Sequence, residues 1–213
     1  MFQIENVIVK NVLEIKNLTL YKDVISIEGQ SGSGKSTFLR LLNNLDNPTL
    51  GKITYKKQAL SDIPALALRK RIVMVPQDPV VFDGTIRDNL NIGLELSCEK
   101  PVSDVELKDM LNIFWLNKSL DASASDLSGG EKQRMSLARV LLMKRTEVFL
   151  LDEPTSSLDD KTTGHVMGKF LEWTYKQKQQ VIMITHEKKV SEEFADEVIT
   201  MDEYSKQIKG ARK

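Results

Sequence analysis

Gly29-Gln30-Ser31-Gly32-Ser33-Gly34-Lys35-Ser36 fits the pattern G-x-x-x-x-G-K-[ST]. It follows a β-branched run, Val24 to Glu28, and opens an amphipathic helical pattern near Ser36. Glycines let a backbone curl so that successive N–H groups point inward at phosphate oxygens, and a helix start adds partial positive charge. In that setting the backbone from Gly29 to Thr37 cradles phosphates, Lys35 reaches the β and γ phosphates, and the Ser36 hydroxyl ligates magnesium. A Gly/Ser-rich turn without function would match the letters alone; the strand before it and the helix after it are what the chemistry needs. Much further along, Val148 to Leu151 is a short apolar run that ends in two carboxylates, Asp152 and Glu153. In a parallel sheet its C-terminal end lies beside the phosphate loop, where Asp152 suits the magnesium shell and Glu153 suits a general base for water. The plainer alternative is a strand followed by an acidic helix cap before Pro154.

A second glycine-containing string, Leu127-Ser128-Gly129-Gly130-Glu131-Lys132-Gln133-Arg134, has its own physics. Ser128 and Glu131 make an S-x-x-E capping box, and two glycines leave N–H groups bare at the start of the helix expected over Glu131 to Met143. A well-capped helix with a flexible first turn is the bland account; a second anion site is the functional one. With this string the sequence resembles the ABC (ATP-binding cassette) ATPase family, over about Ile4 to Met201.

The resemblance implies ATP and Mg2+ as ligands and gives further residues a role. Gln77 matches the glutamine that links the nucleotide to a helical subdomain and touches the metal. Ser156-Ser157-Leu158-Asp159 matches the loop that crosses the dimer interface, with Asp159 at the nucleotide. His186 matches the histidine that contacts the γ-phosphate. Lys35, Glu153, Gln77 and His186 are thus the expected catalytic group, with Ser36, Gln77 and Asp152 at the metal. Ser128, Gly129 and Gly130 complete the pocket of an opposite copy, which implies a head-to-tail homodimer with two nucleotides between the copies. His165 matches no motif and is expected at the surface.

These residues need particular elements to hold them. Short β-branched runs at Val24 to Glu28, Ile72 to Val75, Val148 to Leu151, Val181 to Thr185 and Glu197 to Met201 are separated by helical patterns, which predicts an α/β fold with a mainly parallel sheet. From Pro79 to Leu127 the β signal gives way to helical spacing over Thr85 to Leu96 and Asp104 to Leu116, the second opened by a Ser103/Glu106 capping box. The expectation is one ABC ATPase domain, 1–213. In it a P-loop NTPase core with an N-terminal antiparallel β portion (1–78 and 127–213) carries an inserted α-helical subdomain (79–126).

Thirty basic and thirty acidic residues cancel, so no global field draws nucleic acid, and none is expected as a partner. A single cysteine, Cys98, excludes an internal disulfide. The N-terminus shows no export signal and no apolar run approaches the roughly 20 residues that span a bilayer. The expected place is therefore cytoplasmic, and the resemblance implies attachment at the inner face of the cell membrane through an integral membrane permease subunit. The expected function is ATP hydrolysis that powers transport, with export favoured because Val75 to Leu90 resembles exporter cassettes. The short helical subdomain and the Ala195 to Thr200 ending are similar to stand-alone ATPases of a bacterial iron-export pair. A soluble, non-transport ABC ATPase is the alternative; such proteins resemble tandem cassettes or cassettes split by coiled coils, and neither pattern is present.

The chain departs from the family at one point: the window about Phe2 to Lys10, where an adenine-stacking aromatic is usual, offers only Phe2 at its edge. Stacking of a base on an aromatic is worth about 1–3 kcal/mol. ATP and GTP should therefore bind within about tenfold of each other; titration of both nucleotides checks this, and a strong preference for ATP would mean that Phe2 or another residue supplies the platform.

Overall fold

The structure is a computed structural model that describes residues 1–205. Two kinds of strand pattern build two sheets. In chain order the elements are β1 (Phe2–Val9), β2 (Leu13–Leu20), β3 (Val24–Glu28), α1 (Lys35–Leu42), β4 (Leu50–Tyr55), β5 (Gln58–Ala59), α2 (Ala65–Arg71) and β6 (Ile72–Val75). They continue with α3 (Ile86–Leu96), α4 (Asp104–Ile113), α5 (Gly129–Leu141), β7 (Val148–Asp152), α6 (Asp160–Lys176), β8 (Gln180–Ile184), α7 (Lys188–Phe194) and β9 (Glu197–Thr200).

The first sheet is antiparallel, in the order β2-β1-β4-β5. Alternation in β1 buries Phe2 and Ile4, and the pairing with β4 shifts register between Glu5 and Ile8, so that Val7 also points inward. Opposite that irregularity the backbone runs so close that a Cβ on Gly51 would lie 2.3 Å from the Asn6 carbonyl oxygen, and Gly51 holds φ at 92°. Only glycine satisfies both conditions.

The second sheet is parallel, in the order β6-β7-β8-β3-β9. Its inner strands are short, largely apolar runs because helices and the first sheet cover both faces, whereas the edge strand β9 buries only Ile199. All five residues of β7 are buried. Val148 and Leu150 face a cluster shared with α1 and the antiparallel sheet, whereas Phe149 and Leu151 face a cluster shared with α5, α6 and the helical stretch. β8 divides the same way, Ile182 and Ile184 against Val181 and Met183.

Helices α3 and α4 both pack on α5, and their buried residues, among them Leu90, Leu94, Leu107 and Leu111, join the same cluster as Phe149. Both begin at capping boxes, Thr85 with Asp88 and Ser103 with Glu106. α4 ends at Ile113, short of the expected Leu116, because Trp115 takes a positive φ of 52°, which an α-helix cannot continue. Phe149 packs edge-on against Phe170 of α6, with ring centroids 5.2 Å apart. Phe149→Ala should cost about 3–5 kcal/mol through the cavity it leaves, equivalent to roughly 2–4 °C in Tm for each kcal/mol in a chain of this size. Tyr175→Ala, on a side chain that is 75% exposed, should change stability by less than about 0.5 kcal/mol; calorimetry of the two variants makes the comparison.

Candidate active site

Because β6, β7, β8 and β3 lie side by side and parallel, the loops that leave their C-terminal ends share one edge of the sheet. Those loops carry Gln77, Glu153, His186 and the glycine-rich loop. Together with Val12 of the β1–β2 connection they line a cleft of about 360 Å³ that also includes Ser31, Gly32, Gly34, Lys35, Ser36 and Thr37.

The glycine-rich loop is held tightly. Gly34 caps α1 with φ 94°, and a Cβ there would fall 2.6 Å from Leu13 Cδ2. Lys35 donates from Nζ to the carbonyls of Gly29 (2.7 Å) and Gln30 (3.1 Å), so its ammonium lies folded across the loop. The Gln30 N–H donates to Asp202 Oδ1 at 2.9 Å, which ties the loop to the turn that follows β9.

β7 delivers the two carboxylates to different environments. Asp152 is buried, and burial pushes its carboxyl above the usual range, against the opposing pull of a hydrogen bond from the Ser36 hydroxyl. Its Oδ1 is buried without a partner. A buried, unpartnered carboxylate oxygen next to a hydroxyl is the donor set a hard divalent cation requires, so Ser36 and Asp152 fit magnesium. Glu153 adopts φ 48°, a left-handed conformation rare outside glycine, which turns its side chain out of the strand direction. There Oε1 lies 3.0 Å from His186 Nε2, and Oε2 accepts from Gln77 Nε2 at 3.3 Å.

The second glycine string lies elsewhere. Ser128 caps α5 in a complete capping box with Glu131, and Glu131 also pairs with Lys118 at 3.0 Å. Ser128, Gly129 and Gly130 are not among the residues that line the cleft. Instead a Cβ on Gly130 would lie 3.0 Å from the Ser157 carbonyl oxygen, so the glycines sit against the Ser156–Asp159 loop of their own chain. Asp159 caps α6, accepting from the Thr162 N–H (3.0 Å) and hydroxyl (2.7 Å); those bonds hold its carboxyl below the usual range.

Phe2, the one aromatic in the window where adenine stacking is usual, is fully buried in the antiparallel core, 4.8 Å from the Tyr55 ring, and offers no face to a base. One expectation needs correction. His165 is not a plain surface residue: its ring stacks on Trp115 at 3.6 Å and its Nε2 bonds the Ile113 carbonyl at 2.8 Å. Two residues at the site went unnoticed in the sequence. Val12 is one apolar residue in a turn, and Asp202 reaches the loop from 172 positions away; neither carries a local signal.

A family model described as ABC transporter matches residues 14–156. Protein STAR1 of Oryza sativa subsp. japonica is 38% identical over 174 residues, which is 81% of this chain and 50% of that protein. A methionine import ATP-binding protein of Oceanobacillus iheyensis is 33% identical over 202 residues, 91% of this chain and 59% of that protein. The chain thus spans between half and two thirds of these curated relatives. Among solved structures, a dimeric ATP-binding cassette in a post-hydrolysis state bound to ADP and Pi superposes with a TM-score of 0.82 at 26% identity, covering 97% of this chain and 95% of that one. A bacterial Atm1-family ABC exporter with ATP bound gives 0.82 at 25% identity, covering 99% of this chain and 40% of that one. With the glycine-rich loop, the carboxylate pair and the capped second string in these positions, the chain belongs to the ABC transporter family as one of its ATP-binding domains.

Proposed function

We propose that the chain hydrolyses ATP between two copies of itself and so powers movement of a substrate through a separate integral membrane subunit. The observation that carries this reading is the convergence of Gln77, Glu153 and His186 on the cleft of the glycine-rich loop, with Glu153 3.0 Å from His186. The backbone from Gly29 to Thr37 receives the phosphates, and Lys35 exchanges its two carbonyl partners for the β and γ phosphates. Ser36 and Asp152 hold magnesium, with the Gln77 side-chain oxygen as a further ligand; when bound, the ion neutralises charge on the phosphates. Glu153 takes a proton from water as the water oxygen bonds to the γ-phosphorus and the bond to the bridging oxygen of ADP breaks. His186 orients Glu153 and contacts the γ-phosphate.

In the copy opposite, the Ser128 hydroxyl and the N–H groups of Gly129 and Gly130 face that phosphate, and Asp159 stands in the loop beside them. The chain acts as a single domain, with 79–126 as the inserted helical part. An apolar groove of about 380 Å³ opens directly after Gln77, between α2 and α3, and includes the exposed side chains Leu66, Val80, Phe82 and Leu96. A segment of the membrane subunit fits there, which favours transport over a soluble role. No described helix is long and apolar enough to cross a membrane itself; the membrane subunit is what would hold the chain at the inner face of the cell membrane. Relatives include both an importer ATPase and an exporter; export is the direction we assign, on the exporter-like stretch Val75 to Leu90.

Glu153→Gln keeps size while removing the base, so hydrolysis should fall by at least about a hundredfold while ATP binding persists. Light scattering after gel filtration should then find a dimer with ATP and a monomer without it. Lys35→Ala should remain a monomer in both conditions, and Ser128→Glu placed in the Glu153→Gln protein should abolish the dimer by repelling the γ-phosphate. A Glu153→Gln protein that stays monomeric with saturating ATP would sink the shared-nucleotide dimer.

A further inference from the structure

Gln133 lies on α5, within the second glycine string and one helical turn after Gly129, and is 1% exposed. All of its polar atoms are directed at one short segment. Its Nε2 donates to the Glu153 carbonyl at 3.0 Å and to Ser156 Oγ at 3.3 Å, and its Oε1 accepts from the Ser157 N–H at 3.0 Å. Glu153 is the residue in the left-handed conformation, with φ 48°. Its N–H is already fixed by the Ile184 carbonyl of β8 at 3.0 Å, and its carbonyl accepts from the Gln133 amide at 3.0 Å as well as, at a longer 3.3 Å, from the Ser156 N–H of the turn that Gln133 itself braces. A non-glycine residue keeps a sparsely populated backbone conformation only where its surroundings over-determine it. Without Gln133 the carbonyl keeps only the longer Ser156 bond, and the Ser156–Ser157 turn that supplies it loses its own two bonds to the Gln133 amide, so the peptide after Glu153 is free to relax and carry the carboxylate away from His186 and Gln77.

We propose that Gln133 is a positioning residue for hydrolysis: it holds Glu153 in the left-handed turn that aims its carboxylate into the phosphate cleft. The proposal deepens the ATPase reading and rests on it for the kinetic effect, though the geometric effect stands alone. It also gives α5 two tasks. Its first turn presents Ser128 and the glycines, while its buried face sets the carboxylate of the same chain, so a displacement of α5 reaches Glu153 through one side chain.

The chain has two histidines, His165 and His186, so their ring protons are resolvable by NMR at fixed pH without nucleotide. In Gln133→Met, which keeps length and apolar volume but none of the hydrogen bonds, the His186 signals should move toward those of Glu153→Gln while those of His165 stay in place. With magnesium and ATP, kcat should fall between about tenfold and a hundredfold, as expected for a misplaced catalytic group, with ATP affinity kept within about twofold. Gln133→Glu keeps the acceptor for the Ser157 N–H and opposes only the Glu153 carbonyl; it should reproduce both effects and carries the comparison if the methionine protein does not fold. His186 signals identical to wild type in a folded variant would overturn the proposal, as would wild-type kcat. If the wild type itself fails to hydrolyse ATP, the ATPase reading falls, and the His186 signals alone still decide whether Gln133 aims Glu153.

Discussion

Parallel pairing of β6, β7, β8 and β3 is the constraint on which the site depends. A parallel strand is re-entered only through a crossover, so every one of these strands points its C-terminal end to the same edge. The lateral order then fixes the neighbours: Gln77 beside Glu153, Glu153 beside His186, and His186 beside the glycine-rich loop. Their separation in sequence is immaterial once the strands are buried on both faces, because sliding β7 by one residue would exchange Val148 and Leu150 with Phe149 and Leu151 between two filled cores. Packing far from the cleft therefore sets its geometry.

Electrostatics explains why such a cleft selects its ligand. Asp152 and Glu153 are adjacent, and burial disfavours the charged form of Asp152. The nearby ammonium of Lys35 is engaged with two carbonyls, and Asp152 Oδ1 has no partner. What the folded chain leaves unsatisfied is an acceptor that wants a cation, beside a glycine-rich loop at a helix start that favours an anion. A phosphate ester carrying a divalent ion answers both at once. The neutral net charge of the chain fits this arrangement, since the attraction is confined to the loop rather than spread over the surface.

Much of this was legible in the sequence because it is local. The glycine-rich loop, the capping boxes at Ser103 and Ser128, and the apolar runs of the parallel strands depend on residues within a few positions of one another. The antiparallel sheet was legible only in outline. β4 begins with three exposed residues, and β5 has two residues in all, so neither shows a periodic pattern of useful length. Long-range contacts were invisible: the bond of Asp202 to the glycine-rich loop, the stack of His165 on Trp115, and the burial of Phe2 against Tyr55 are products of tertiary packing. Trp115 shows the same limit locally, for its left-handed backbone ends α4 where the apolar spacing would have continued it.

The central claim is that one nucleotide is held by the glycine-rich loop of one copy and the Ser128 string of the other. Two inactive proteins decide it directly when mixed. Lys35→Ala lacks the phosphate cation but keeps the second string, and Ser128→Glu lacks the second string but keeps the cation. In a mixed head-to-tail pair, one of the two sites contains Lys35 from one protein and Ser128 from the other, and is whole. The account predicts ATP hydrolysis in the mixture where each protein alone has none, rising with the product of their concentrations. A mixture as inactive as its components, under conditions where the wild type turns over, would contradict it and return both halves of the site to a single chain.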